Sequence, residues 1–313
     1  MTMTEPPVFG SIQEYRSRIA DVEFWRPCIS RILGRHDLPA AKRGAIAGHN
    51  ATYPTFLCGD VVVKLFGHFP PWRRSHAAER SALRLVANDP KIAAPRLLAS
   101  GRIFRDSDVP WPYLVTGRIS GVPCWQANLS TAQLSSLADE LGRQIRRVHA
   151  LRPIGVATQA GLPVADIVAA AYRSSLPRHL ISGIRGFLAR LRPFDRVFVH
   201  GDLVDNHIYV EDGRLSGIID WGDAVVTDRH YELAKLCFGT LGCDKGLLRL
   251  FLAASAWPVG GDFAQRTLGL ALHRQALGLA QHHTFDVFHG FPSPLQQQGI
   301  GTLDDLALAL FEI

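Results

Sequence analysis

Two stretches concentrate carboxylates and imidazoles in polar loops behind short apolar runs. They are His200-Gly201-Asp202-Leu203-Val204-Asp205-Asn206-His207 and, further on, Ile218-Ile219-Asp220-Trp221-Gly222-Asp223. Two carboxylates with a third oxygen or nitrogen donor suit a divalent cation that bridges phosphate oxygens. A carboxylate placed beside such a cation can take the proton of a reacting hydroxyl. Upstream, Lys64 stands in the alternating run VVVKLF, where it points away from Val63 and Leu65 and toward a polar cleft or solvent. These residue types in this pattern point to chemistry at a phosphate group.

The elements that must position them are readable in outline. Asp202 ends the apolar run VFV and Asp220 ends SGII, and the Asp-Gly turn between them marks a hairpin. That fold-back lets two carboxylates 18 residues apart face one cleft. Earlier, a loop from Gly48 to Pro54, a short run, the turn Gly59-Asp60 and the strand VVVKLF predict an antiparallel pair. Residues 11–33 predict one or two helices broken near Pro27, and residues 75–88 a further helix. WPYLVTGRI (111–119) predicts an apolar strand running into Gly121. Residues 131–151, 164–191, 229–255 and 263–289 read as helical. The expectation is an α+β chain with a small β-rich N-lobe (1–117, with a helical N-terminal extension) and a larger, mainly helical C-lobe (118–313).

HGDLxxxHIxV followed by IIDWGDA resembles the catalytic and metal motifs of the aminoglycoside phosphotransferases, relatives of the eukaryotic-type protein kinases. VVVKLFG is similar to that family's lysine strand, Glu79 falls where the lysine's partner belongs, and WPYLVTGRISG resembles the strand and hinge that hold the adenine. EFWRPCISRIL, PWPYLVTGRISG and FDVF resemble the hygromycin B phosphotransferases in particular. The resemblance covers residues from about 11 to 290. It implies a bilobal protein-kinase-like fold, Mg²⁺ as cofactor, ATP or GTP as phosphoryl donor, and an aminoglycoside acceptor such as hygromycin B.

It also implies roles. Asp202 would orient the acceptor hydroxyl and take its proton, and Asp220 would bind Mg²⁺. Lys64 would contact the α- and β-phosphates and pair with Glu79. The backbone of Gly117 and Ile119 would hydrogen-bond the purine, and His200 would brace the catalytic loop. The family's usual asparagine five residues after the catalytic aspartate is His207 here. Mg²⁺ prefers oxygen donors, so His207 could bind the metal through water or bind phosphate directly, or Asn206 could substitute if the loop shifts; His207 is favoured in the metal position because the register IxV continues cleanly after it. The nucleotide loop GHNATYP has no GxGxxG, so phosphate cradling falls to backbone N–H groups and to Asn50 or Thr52. Asp205, Asp223 and Asp286 are candidates for a cationic substrate. Asp228 and Glu232, one turn apart, read as a helix cap and a first-turn charge.

Alternative acceptors for the same chemistry are a macrolide, a sugar, choline or a protein. Asp220 and Asp228 are only eight positions apart, and no APE-terminated activation segment lies between them, which favours a small acceptor. An iron site from His200, Asp202 and a distal His273, His282 or His283 belongs in an all-β barrel and conflicts with the helical flanks. The charge of +6 invites a polyanion, yet no basic-aromatic or zinc-finger pattern supports nucleic-acid binding. Residues 200–235 hold eight acids against three bases, a local −5 that leaves +11 elsewhere. This split suggests basic groups for nucleotide phosphates and an acidic floor for metal and a cationic acceptor. No apolar run reaches the ~18–20 residues of a membrane span. The absence of a leader pattern and five scattered cysteines suggest a reducing cytoplasm, and a monomer is expected.

Overall fold

The computed structural model describes residues 5–39, 44–49, 52–69, 71–104, 106–191, 195–281, 285–289 and 299–313. Asn50, His282 and His283 lie outside the described residues. The chain divides into two compact units, residues 1–87 with 94–119, and residues 88–93 with 120–313.

In the first unit, period-two alternation builds a five-stranded antiparallel sheet: β1 (Ile46–Ala47), β2 (Thr55–Cys58), β3 (Val61–Leu65), β4 (Leu97–Arg102) and β5 (Pro112–Gly117). Their order is β1-β2-β3-β5-β4. β2 and β3 pair with Cys58 opposite Val61, so Gly59-Asp60 forms the two-residue turn that the sequence signals, with Gly59 at φ +67°. Val61, Val63 and Leu65 point into the core with Phe56, Trp25 and Trp111, and Lys64 takes the opposite face. The N-terminal helices are α1 (Ile12–Arg18) and α2 (Val22–Arg35). The break falls at residues 19–21 and not at Pro27, which sits inside α2. Asp21 starts that helix by accepting the Phe24 N–H, and this cap sets the boundary more firmly than the proline does. α3 (Trp72–Val86) follows β3.

The second unit is mainly helical. α4 (Thr131–Ala150) starts at a Ser130/Gln133 capping box. The predicted helix over 164–191 is three pieces, α5 (Val164–Ala171), α6 (Arg178–Ile181) and α7 (Ile184–Ala189), because Pro177 and Gly183 interrupt it. Next come α8 (Tyr231–Lys235), a wider π-type turn at Leu236–Thr240, α9 (Lys245–Ser255), α10 (Phe263–Gln281) and α11 (Leu303–Phe311). A Cβ on Gly142 would collide with the Phe251 carbonyl, so this glycine lets α4 approach α9 closely.

Two small sheets carry the polar loops. β7 (Val197–Val199) pairs with β10 (Val225–Thr227), and β6 (Val122–Pro123), β8 (Ile208–Glu211) and β9 (Arg214–Ile218) form the other. Asp212 and Gly213 both have positive φ, and Glu211 faces Arg214 across the turn, which is the hairpin expected from the Asp-Gly signal. Among the described residues, no helix is long and apolar enough to cross a membrane.

Candidate active site

The loop after β7 is fixed from below. Buried His200 accepts the Asp202 N–H at Nδ1 (3.2 Å) and, from Nε2, donates to the Ile219 carbonyl (2.9 Å). Both ring nitrogens are therefore committed in the neutral tautomer, and burial pushes the imidazole pKa down to about 4. Ile219 in turn donates its N–H to the His207 carbonyl (2.9 Å). Asp220, the next residue, is thereby fixed relative to both Asp202 and His207. It adopts φ +59°, a left-handed conformation that Asp tolerates better than most side chains. Gly201 has φ +83°, and a Cβ there would stand 2.6 Å from the Asp223 carbonyl, so only glycine lets the two loops meet.

Glu232, fully buried on α8, accepts the backbone N–H groups of His200 (2.8 Å) and Gly201 (2.7 Å). It stands in the first turn of α8, as expected, and there it also clamps the loop. Burial pushes its carboxyl up to about 7, with the two amide donors pulling the other way. Asp228 is also more than a helix cap. It is buried, accepts from the Asp195 and His230 amides and from the His230 ring, and pairs with Arg266. α8 begins beyond it at Tyr231 without a side-chain cap.

Asp202 lies between cations that the sequence motifs do not include. Lys235 Nζ is 3.2 Å and Arg274 Nη2 3.4 Å from Oδ1. Burial alone would raise the Asp202 pKa, but Lys235, His207 and Arg274 outweigh it and hold the carboxyl well below the usual carboxylate range. Arg274 also reaches Asp223 Oδ2 at 3.0 Å. Asp286 accepts from the Ser175 amide and hydroxyl and from the Phe288 amide, so its carboxylate ties loops together. Asp205 is half-buried in the turn of the loop. Lys235, Arg274 and Glu232 were missed because helices 30 to 72 residues downstream of Asp202 supply them. The available signal was an arginine amid the apolar LGLALHRQALGLA.

His207 bears on the implied Mg²⁺. Its Nδ1–H donates to the Asp202 carbonyl (2.9 Å), which leaves Nε2 as the ring nitrogen for a metal, 3.6 Å from Asp220 Oδ2. A carboxylate oxygen and an imidazole nitrogen on one side fit a divalent cation that takes its other ligands from phosphates and water. Among the described residues, no group of three or more His, Cys, Asp or Glu side chains forms a ready-made metal centre.

In the first unit, Lys64 Nζ meets Glu79 Oε2 at 2.7 Å, with side-chain exposures of 13% and 8%. The pairing expected across β3 and α3 is present. The Thr52 carbonyl accepts from Tyr15 (2.7 Å). The Gly117 N–H is committed to the Arg96 carbonyl (2.9 Å), so a purine contact there would fall to the Gly117 carbonyl and to Ile119.

Residues 48–264, more than half of the chain, match the phosphotransferase enzyme family, APH. The chain belongs to this family. An aminoglycoside 3'-phosphotransferase from Enterococcus faecalis is 41% identical over 61 residues, which is 19% of this chain and 23% of that protein. A hygromycin-B 4-O-kinase from Escherichia coli is 34% identical over 61 residues, 19% of this chain and 18% of that protein. The matches thus span less than a quarter of these relatives' own length. The GDP complex of wild-type aminoglycoside 2'-phosphotransferase-IIIa has a TM-score of 0.63 at 16% identity, covering 92% of this chain and 97% of the other. The chain shares with it the α+β, kinase-like fold, with a β-sheet N-terminal region and a helical C-terminal region.

Proposed function

We propose that the protein transfers the γ-phosphoryl group of ATP or GTP to a hydroxyl of an aminoglycoside, with hygromycin B as the leading acceptor. The observation that carries this reading is the Asp202 carboxylate, kept ionised on a braced loop beside Asp220 and His207. Membership of the phosphotransferase family and the activities of the named relatives support the acceptor class.

Each region has its part. Residues 1–117 would serve the nucleotide: Lys64, held by Glu79, contacts the α- and β-phosphates, and the cradling of the phosphates falls to backbone N–H groups and to Thr52 or Asn50. The Gly117 carbonyl and Ile119 backbone take the purine. Residues 118–313 would serve the reaction and the acceptor. Asp202 orients the acceptor hydroxyl; its low basicity makes proton transfer late, after the new bond has begun to form. The hydroxyl oxygen bonds to the γ-phosphorus, the bond from that phosphorus to the β-phosphate bridging oxygen breaks, and the nucleoside diphosphate leaves with the bond's electrons. The hydroxyl proton passes to Asp202 and then to solvent. Asp220 and His207 would hold the Mg²⁺, which supplies charge neutralisation on the phosphate oxygens. His200 fixes the Asp202 loop to the strand that ends at Asp220.

A panel of aminoglycosides, with a macrolide and choline as outgroups, tests the reading by coupled nucleotide turnover. Consumption of ATP or GTP that depends on hygromycin B or another aminoglycoside is expected. Turnover with none of the aminoglycosides would sink the acceptor class.

A further inference from the structure

Two of the acids at this point, Asp202 and Asp223, have cationic partners. Asp202 and Asp223 are two carboxylates, and Lys235 and Arg274 are two cations in contact with them. Arg274 is 3% exposed and packs against the rings of Tyr231 and Phe285 at 5.6 and 5.1 Å. Lys235 lies 4.8 Å from the Phe285 ring, with its side chain 23% exposed. Both cations meet Asp202 at the same oxygen, Oδ1. On the Oδ2 side stands His207 Nδ1 at 3.5 Å, whose hydrogen goes to the Asp202 carbonyl instead. Neither Lys235 nor Arg274 makes its contact through Oδ2.

We propose that Lys235 and Arg274 anchor Asp202 through Oδ1, leave Oδ2 to the acceptor, and select a hydroxyl with no ammonium group beside it. The inference rests on the phosphoryl-transfer reading above and narrows its substrate. An acceptor ammonium drawn to this spot by free carboxylates would gain from each of them. Here it finds both carboxylates paired and a lysine ammonium at contact range, so the attraction is cancelled and a repulsion is added. A hydroxyl flanked only by hydroxyls or ethers meets no such penalty. Lys235 and Arg274 are thus positioning residues for Asp202, and Lys235, the more exposed, also sets specificity.

The test is the position of the new phosphate. Hygromycin B and kanamycin are phosphorylated by the wild type, Lys235→Met and Lys235→Arg, and the products are mapped by NMR. The wild type and Lys235→Arg should place phosphate on hydroxyls with no amine on a neighbouring carbon. Lys235→Met should raise the share at amine-flanked hydroxyls about tenfold, since one screened contact charge is removed. Wild-type phosphate beside an amine, or an unchanged distribution in Lys235→Met, would overturn the selection. Failure of the wild type to phosphorylate any aminoglycoside would overturn the acceptor reading and the selection with it. The crystal structure of Lys235→Met judges the anchoring independently: the Asp202 carboxylate should leave its position, and an unmoved carboxylate would refute that part.

Discussion

His207 shows how one residue sets the chemistry of its neighbours. Its Nδ1–H is spent on the Asp202 carbonyl, so Nε2 is left as the ring nitrogen for a metal, beside Asp220. Asparagine at this position would offer an oxygen, a donor closer to Mg²⁺ preference. His207→Asn should therefore keep or raise the Mg²⁺-dependent rate, checked by turnover against Mg²⁺ concentration. A dead variant would mean that the imidazole does something an amide cannot. Asp202, Asp220 and Lys64 could be picked out beforehand because short strands and turns place them, and those leave local patterns, whereas Glu79, on α3, is named only through the family resemblance. The partners of Asp202, Asp223 and Asp286 could not be picked out. A sequence displays a charge, but which cation or amide consumes it depends on helices arriving from elsewhere in the chain.

At the scale of elements, α8 acts as the keel of the catalytic loop through Glu232. Glu232→Gln keeps the shape but puts an amide donor against a backbone N–H, leaving a buried group unsatisfied. A loss of about 2 kcal/mol is expected, read by chemical denaturation. In the first unit, β3 and α3 are joined by the largely buried pair Lys64–Glu79. Glu79→Gln removes the carboxylate of this largely buried pair and should cost about 3 kcal/mol by the same measurement. The strands around both pairs were legible from alternation and two-residue turns. The helical boundaries were less so: the Asp21 cap, not Pro27, ends the gap between α1 and α2, and Pro177 and Gly183 divide the stretch after α5. A cap competes with a proline through hydrogen bonds that spacing alone does not rank.

Over the whole molecule, the net charge of +6 and the acidic stretch at 200–235 describe composition more than available field. Asp202, Asp223 and Asp228 have cationic partners within the second unit, and Glu232 is held by amides. Buried histidines dominate the response to acid. Burial pushes His76, His200 and His273 down to about 4 and His149 to about 3. Below pH ~6.5 the unfolded chain takes up protons that these folded histidines refuse, so stability present above that pH is lost as pH falls toward 4. Glu232, raised to about 7, acts in the opposite sense between 4.5 and 7 but is one group against four. Denaturant titrations should show stability rising from pH 4 to 6.5; a flat profile would contradict this burial pattern. The central claim is that Asp202 directs phosphoryl transfer to an acceptor hydroxyl. It is tested most directly by following the phosphate monoester by ³¹P NMR with wild type and Asp202→Asn, under ATP or GTP and Mg²⁺. The account predicts an ester with the wild type and formation slower by at least about a hundredfold in the folded variant. Equal rates of ester formation would contradict it.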